Sequence, residues 1–381
     1  MGRKAWIAAA LVVAGGAYAL WKIDSMAGVG AGYMAKVACS EIFVAGRSEQ
    51  DVVHRDFNDI SPILDSVRLE INADNKTVAA SVHGLGRAKA VYRDGYGCTL
   101  ARGGAPAALP DLAAIPEIPL KDYDGSRADV DYSAINAAID AAFADERAAT
   151  RAILVVKDGE VVAERYAAGF DAGTRFLSWS MAKSVTATMI GAAVNQGFIE
   201  IEDPAPVAEW RNDARRSKIT WNDLLQMQSG LAFSEVYDDP GSDVSKMLFR
   251  VRDAGAVAAR KKLEHEPGSF WSYSSGTTNL IQRTLRDTLE ANDIGYHAFA
   301  QDAVFAPIGA ASFVMEPDSS GTFIGSSFVY ATARDWAKLG GLYLNNGVAG
   351  GVRHQSSSRP TGSGLAGSLR WPFITNRPLK P

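Results

Sequence analysis

The sequence predicts a mixed α/β (α+β) fold, in which helices accompany antiparallel strands, and three observations predict it. Ile135, Ile139 and Phe143 recur every fourth residue, which places them on one face of a helix. The β-rich runs Ile153-Leu154-Val155-Val156 and Val161-Val162-Ala163 enclose Lys157-Asp158-Gly159-Glu160, the pattern of an antiparallel hairpin turning at Asp-Gly. From Met181 to Val194 the pattern is helical and ends at Asn195-Gln196-Gly197, where glycine suits a left-handed C-cap.

Composition bounds the rest. The chain has 381 residues, 47% hydrophobic and 22% charged, enough apolar material for a sizeable core and too much for disorder over most of its length. With 39 Lys+Arg against 43 Asp+Glu, no basic stripe and no interleaving of basic and aromatic residues, nucleic acid is not expected as a partner. The five histidines are scattered, and His265-Glu266 runs into Pro267-Gly268 rather than a second histidine, so neither a metal nor another cofactor is expected.

In chain order, Arg3-Lys4 precede an apolar run over 5–21 that is closed by Lys22 and Asp24. Its length is at the lower limit for a membrane-spanning helix, and positive charge ahead of it keeps the N-terminus inside and exports the chain beyond the run. Residues 1–23 are therefore expected to anchor a periplasmic, extracytoplasmic body in a membrane or to export it as a signal. Ala17-Tyr18-Ala19 resembles a cleavage site, and a buried core helix is the third reading. Residues 24–105 read as a small mixed segment on the exported side. Cys39 and Cys98 are too far apart for a Cys-x-x-Cys motif. In an exported body a disulfide between them is open, and otherwise they are two buried thiols. Pro106, Pro110, Pro116 and Pro119 mark a Pro/Ala-rich linker over 106–130. The main domain then spans 131–346. The final stretch, 347–381, has no Asp or Glu and is rich in Gly, Ser and Pro; it reads as a disordered or out-of-frame tail, with a divergent C-terminus as the other reading.

Ser180-Met181-Ala182-Lys183 is the string with chemical content. If Ser180 starts the helix, Lys183 lies on the same face within reach of it. A neutral lysine amine can take the hydroxyl proton as serine attacks a carbonyl, and the N–H groups at the helix start can stabilise the resulting oxyanion. The bland reading, Ser180 as an N-cap and Lys183 as a solvated surface residue, competes with it until context is added.

That context is the hairpin before the motif, Trp221-Asn222-Asp223-Leu224-Leu225-Gln226-Met227-Gln228-Ser229-Gly230-Leu231 after it, and Pro267-Gly268 leading to Tyr273-Ser274-Ser275-Gly276. In this order over about 130–346 the sequence resembles the serine hydrolases related to class C β-lactamases and penicillin-binding proteins, in particular their 6-aminohexanoate-dimer hydrolase-like and esterase-like members. The resemblance implies a β-lactamase/transpeptidase-like fold, an antiparallel sheet flanked by helices with a helical subdomain. It implies Ser180 as the acylated nucleophile, Lys183 as its general base and Tyr273 as the proton shuttle to the leaving group. Ser275 stands where β-lactamases usually keep an asparagine that orients substrate, and this lowers the expectation of β-lactamase activity. Phe233-Ser234-Glu235-Val236-Tyr237-Asp238-Asp239-Pro240 looks like the family loop that lays a tyrosine over the cleft, so Tyr237 is expected to hydrogen-bond the substrate amide nitrogen; a turn with a packed aromatic is the alternative.

Past Asn346 no string fits the family's third motif, Lys-Thr-Gly or His-x-Gly; Arg359-Pro360-Thr361-Gly362 comes nearest, and its proline removes a ladder donor from a central strand. The sheet is therefore expected to be incomplete at the C-terminus and the chain to be a truncated and crippled copy of an active enzyme. Small amides or esters are the expected substrates. β-Lactam or D,D-peptide turnover is one alternative, and a non-catalytic envelope protein that binds ligand in the same pocket is the other.

Overall fold

The computed structural model describes residues 3–57, 64–123 and 127–349. In chain order its longer helices are α1 (Arg3–Phe43), α2 (Tyr132–Ala144), α3 (Ala182–Asn195), α4 (Ser275–Glu290) and α5 (Ala333–Leu344). Its strands are β1 (Val67–Asn72), β2 (Thr77–Val82), β3 (Leu85–Arg93), β4 (Gly97–Ala101), β5 (Lys121–Asp122), β6 (Ala152–Lys157), β7 (Glu160–Tyr166), β8 (Phe176–Leu177), β9 (Val314–Met315) and β10 (Val329–Ala331). The chain divides into two compact units, each discontinuous in sequence. The first comprises 1–109, 205–283 and 315–326, and the second 110–204, 284–314 and 327–381. The segment 24–105 is thus grouped with parts of the 131–346 stretch.

In the first unit β1 to β4 form an antiparallel meander, and alternation along β2 and β3 turns one face inward. That face is covered by the second half of α1, where Ala27, Val29, Ala31, Met34, Ala35, Val37 and Ala38 are buried. The contact is close enough to need glycine. Gly86 sits at φ +58°, and a Cβ there would come within 2.2 Å of the Gly28 backbone nitrogen. Cys39 on α1 and Cys98 on β4 are joined as a disulfide, their Cα atoms 6.0 Å apart.

Helix α1 is one continuous element, so no break separates the apolar run from the body beyond it. Its character changes along its length. Residues 11–23 are exposed, Val12 at 75% and Trp21 at 63%, while 27–32 are almost entirely buried. Among the described residues no helix is long and apolar enough to cross a membrane.

A buried polar cluster ties α1 to the segment around Glu316 in the same unit. Lys36 pairs with Glu316, and neither is more than 1% exposed. Ser40 Oγ donates to Glu316 Oε1 at 2.8 Å, and the Cys98 backbone N–H donates to the same oxygen at 2.6 Å. Burial pushes the Glu316 carboxyl upward and the Lys36 amine downward, and their pairing opposes both shifts.

In the second unit the hairpin forms as the sequence predicts: β6 and β7 pair antiparallel from Ala152↔Tyr166 to Lys157↔Glu160. Asp158 (φ +53°) and Gly159 (φ +82°) make the two-residue turn, both in the left-handed region such hairpins require. The sheet order is β5-β7-β6, so among the described residues β6 has one strand neighbour. Helix α2 is capped by Asp131, whose side chain accepts from Ala134 N at 2.9 Å, and Ile139 is the buried centre of its apolar stripe. The described residues of the proline-rich stretch run without regular structure apart from β5, held by backbone bonds such as Ile118 N to Gly309 O. Most of the atypical tail, 350–381, lies outside the described residues.

Candidate active site

The second unit carries Ser180 on a tight strand-to-helix turn. The chain leaves β8, which pairs with β10 through Leu177↔Tyr330, passes through a single 3-10 turn at Trp179–Met181 and enters α3. Trp179, the residue before Ser180, is held at φ +42°, a region that bulky residues rarely occupy. Its neighbours pin it there. Ser178 N donates to Val329 O at 2.8 Å, Val329 N donates back to Ser178 Oγ at 3.2 Å, and Ser178 Oγ donates to Ser327 O at 3.0 Å. The Trp179 ring lies against Phe328, centroids 5.9 Å apart. Strain over-determined by its surroundings in this way is common where a side chain must be presented in one orientation.

The turn leaves Ser180 exposed and brings Lys183 Nζ to within 3.2 Å of Ser180 Oγ, with the lysine half-buried. The start of α3 has no side-chain cap and no acidic residue in its first turn. The backbone N–H groups and positive dipole end at this helix start suit a site where an oxyanion develops.

The first unit holds Tyr237, Tyr273 and Ser275, and two of them, Tyr237 and Ser275, meet at Glu235, a residue that motif reading passes over. Glu235 Oε1 accepts from the Tyr237 hydroxyl at 3.0 Å and from Ser275 Oγ at 2.5 Å, while Oε2 accepts from the Ser275 backbone N–H at 2.9 Å. Ser275, the first residue of α4, is fully buried with its hydroxyl donated to Glu235. Tyr237 is about half exposed. Partial burial, with the negative charge of Glu235 and the nearby Tyr273 phenol adding to it, pushes the Tyr237 hydroxyl up to about 12, so it is a proton donor at neutral pH. Trp271 lies beside Tyr273, ring centroids 6.4 Å apart. The sequence did hold one signal for Glu235: in extended chain, residues two apart share a face, so a glutamate two before Tyr237 sits beside it.

The chain is similar to known proteins in sequence and in shape. Over 223 residues the chain is 30% identical to the 6-aminohexanoate-dimer hydrolase of Paenarthrobacter ureafaciens, an alignment covering 55% of each, so the chain spans about half the length of that curated relative. A solved structure of a candidate 6-aminohexanoate-dimer hydrolase from Bacillus anthracis superposes with a TM-score of 0.50 at 20% identity, covering 81% of this chain and 75% of that one, and shows a shared fold. The Beta-lactamase family model matches residues 135–371, continuing past Asn346, where the motif reading stops. That match covers more than half of the chain and includes Ser180, Lys183, Tyr237, Tyr273 and Ser275; the chain belongs to the Beta-lactamase family.

Proposed function

We propose that this chain is a serine hydrolase that cleaves small amides or esters through an acyl-enzyme on Ser180. The observation that carries the reading is the 3.2 Å approach of Lys183 Nζ to Ser180 Oγ on a strained turn at the uncapped start of α3. In acylation Lys183, as general base, takes the Ser180 proton as Oγ attacks the carbonyl, and the start of α3 supports the oxyanion. Tyr273 passes a proton to the departing group, and Tyr237 hydrogen-bonds the amide nitrogen. Water then attacks the ester and the steps run in reverse. The name of the Paenarthrobacter relative supports an amide-cleaving reaction. β-Lactam or D,D-peptide turnover is weakened by Ser275, whose short side chain is buried and engaged by Glu235 where an exposed amide would be wanted. Incubation with a fluorophosphonate probe tests the reading: wild type is expected to gain one adduct, located on Ser180 by mass spectrometry, and Ser180→Ala none. Equal labelling of the two would overturn it.

The N-terminal half of α1 supports a membrane-anchored, extracytoplasmic location for this enzyme. Its exposed run comes after Arg3-Lys4 and ends in Tyr18 and Trp21, rings that favour a membrane–water boundary. On fractionation of expressing cells the full chain is expected to stay with membranes through carbonate washing, and a chain starting at residue 24 to be released. Release of the full chain by carbonate would contradict anchoring.

A further inference from the structure

The loop that carries Tyr237 is fixed at its base by several independent contacts. Gly276 leaves room for Phe233, whose ring a Cβ there would meet at 2.3 Å. Ser234 N donates to Asp243 Oδ2 at 2.9 Å, and Val244 N donates to Ser234 O at 3.1 Å. At the tip Ser245 Oγ reaches Tyr237 O at 3.4 Å, and Val236 and Tyr237 stand about half exposed. The Tyr237 hydroxyl meets the Glu235 carboxylate at 3.0 Å, with Ser275 Oγ at 3.5 Å.

Glu235 is well suited to this. A tyrosine presented on a loop tip has two free side-chain torsions, and a neutral acceptor would hold its hydroxyl weakly; a carboxylate makes roughly a doubly strong bond. The carboxylate is itself located by two donors from one residue, the Ser275 hydroxyl and the Ser275 backbone N–H at the start of α4, where a negative charge is also favoured by the helix dipole. The result is a rigid relay from the first turn of α4 through Glu235 to the Tyr237 hydroxyl. Ser275 lies two residues after Tyr273, the proposed proton shuttle, so the relay is anchored close to it along the chain.

We infer that Glu235 is a positioning residue that holds the Tyr237 hydroxyl for the leaving group and thereby sets the preference of the enzyme for amides over esters. The inference rests on the serine hydrolase reading. An amide nitrogen must keep a hydrogen bond and gain a proton to depart, whereas a p-nitrophenolate departs without either. Loss of Tyr237 alignment is therefore felt in amide cleavage and scarcely in cleavage of an activated ester.

The experiment compares a p-nitroanilide and a p-nitrophenyl ester of the same short acyl group, using the full chain. Glu235→Ala is expected to lower kcat/KM for the anilide roughly 10- to 100-fold, the loss of one charge-assisted hydrogen bond, and for the ester less than about threefold. Glu235→Gln preserves volume and one acceptor oxygen and is expected to show the same amide-selective loss at smaller amplitude, which separates positioning from a failure to fold. In Tyr237→Phe the Glu235→Ala change is expected to have no further effect on the anilide. Equal losses on the two substrates, no loss on the anilide, or losses that multiply in the double variant would each overturn the inference while leaving the hydrolase reading intact. Absence of Ser180-dependent turnover of either substrate by wild type would instead overturn the hydrolase reading.

Discussion

Ser180→Ala is expected to lower kcat/KM for amide and ester substrates by about 10³-fold or more, and Lys183→Ala is expected to do nearly as much damage. The two side chains work as one unit: Oγ is a poor nucleophile until Nζ, 3.2 Å away, accepts its proton. Removing the second member after the first should therefore change little, and the double variant is expected to match the worse single variant within about threefold. Ser180 is exposed and Lys183 half-buried, so both variants should melt close to wild type. Steady-state turnover with the same acyl group as ester and anilide, read beside a thermal melt, checks all of this. Retention of more than about a tenth of wild-type turnover in either single variant would remove that residue from its proposed role.

The second large effect concerns stability. Glu316→Ala is expected to destabilise the protein by about 3–5 kcal/mol, the usual result of breaking a buried ion pair by deleting one partner. The loss is large because three donors lose their acceptor at once: the Lys36 amine, the Ser40 hydroxyl and the Cys98 backbone N–H all converge on Glu316. Lys36 would then be left charged and buried, or neutral with unsatisfied hydrogens. The double variant Lys36→Met, Glu316→Gln is expected to recover a large part of the stability, because methionine follows the path of the lysine stem and glutamine keeps an acceptor for Ser40 and Cys98. Urea unfolding monitored by far-ultraviolet circular dichroism measures both. A Glu316→Ala midpoint equal to that of wild type would show that the cluster does not hold α1 against the rest of the first unit.

Local structure is dictated by the chain alone. The period-four stripe over Ile135, Ile139 and Phe143, the Asp158-Gly159 turn and the helix over 181–194 all reappear, the last as α3 from Ala182 to Asn195 with a 3-10 turn ahead of it. These patterns are legible because a helix or hairpin closes its hydrogen bonds within a few residues and shows its buried face as a repeat. The proximity of Ser180 and Lys183 belongs to the same class, since three residues along one helical turn bring side chains together whatever surrounds them.

Packing decided the remainder, because a sequence pattern says which face of an element is covered and not by what. Cys39 and Cys98 are 59 residues apart, and their spacing left pairing open; they meet because α1 lies across the meander that ends in β4. Lys36 and Glu316, 280 residues apart, carry no mutual signal in the chain, and each alone reads as a surface charge. Glu235 and Ser275 meet across 40 residues, and the left-handed backbone of Trp179 depends on Val329 and Phe328 holding the turn from the side. In each case the deciding contact lies between residues brought together by the packing of whole faces, and that packing is fixed only when every face has found its cover.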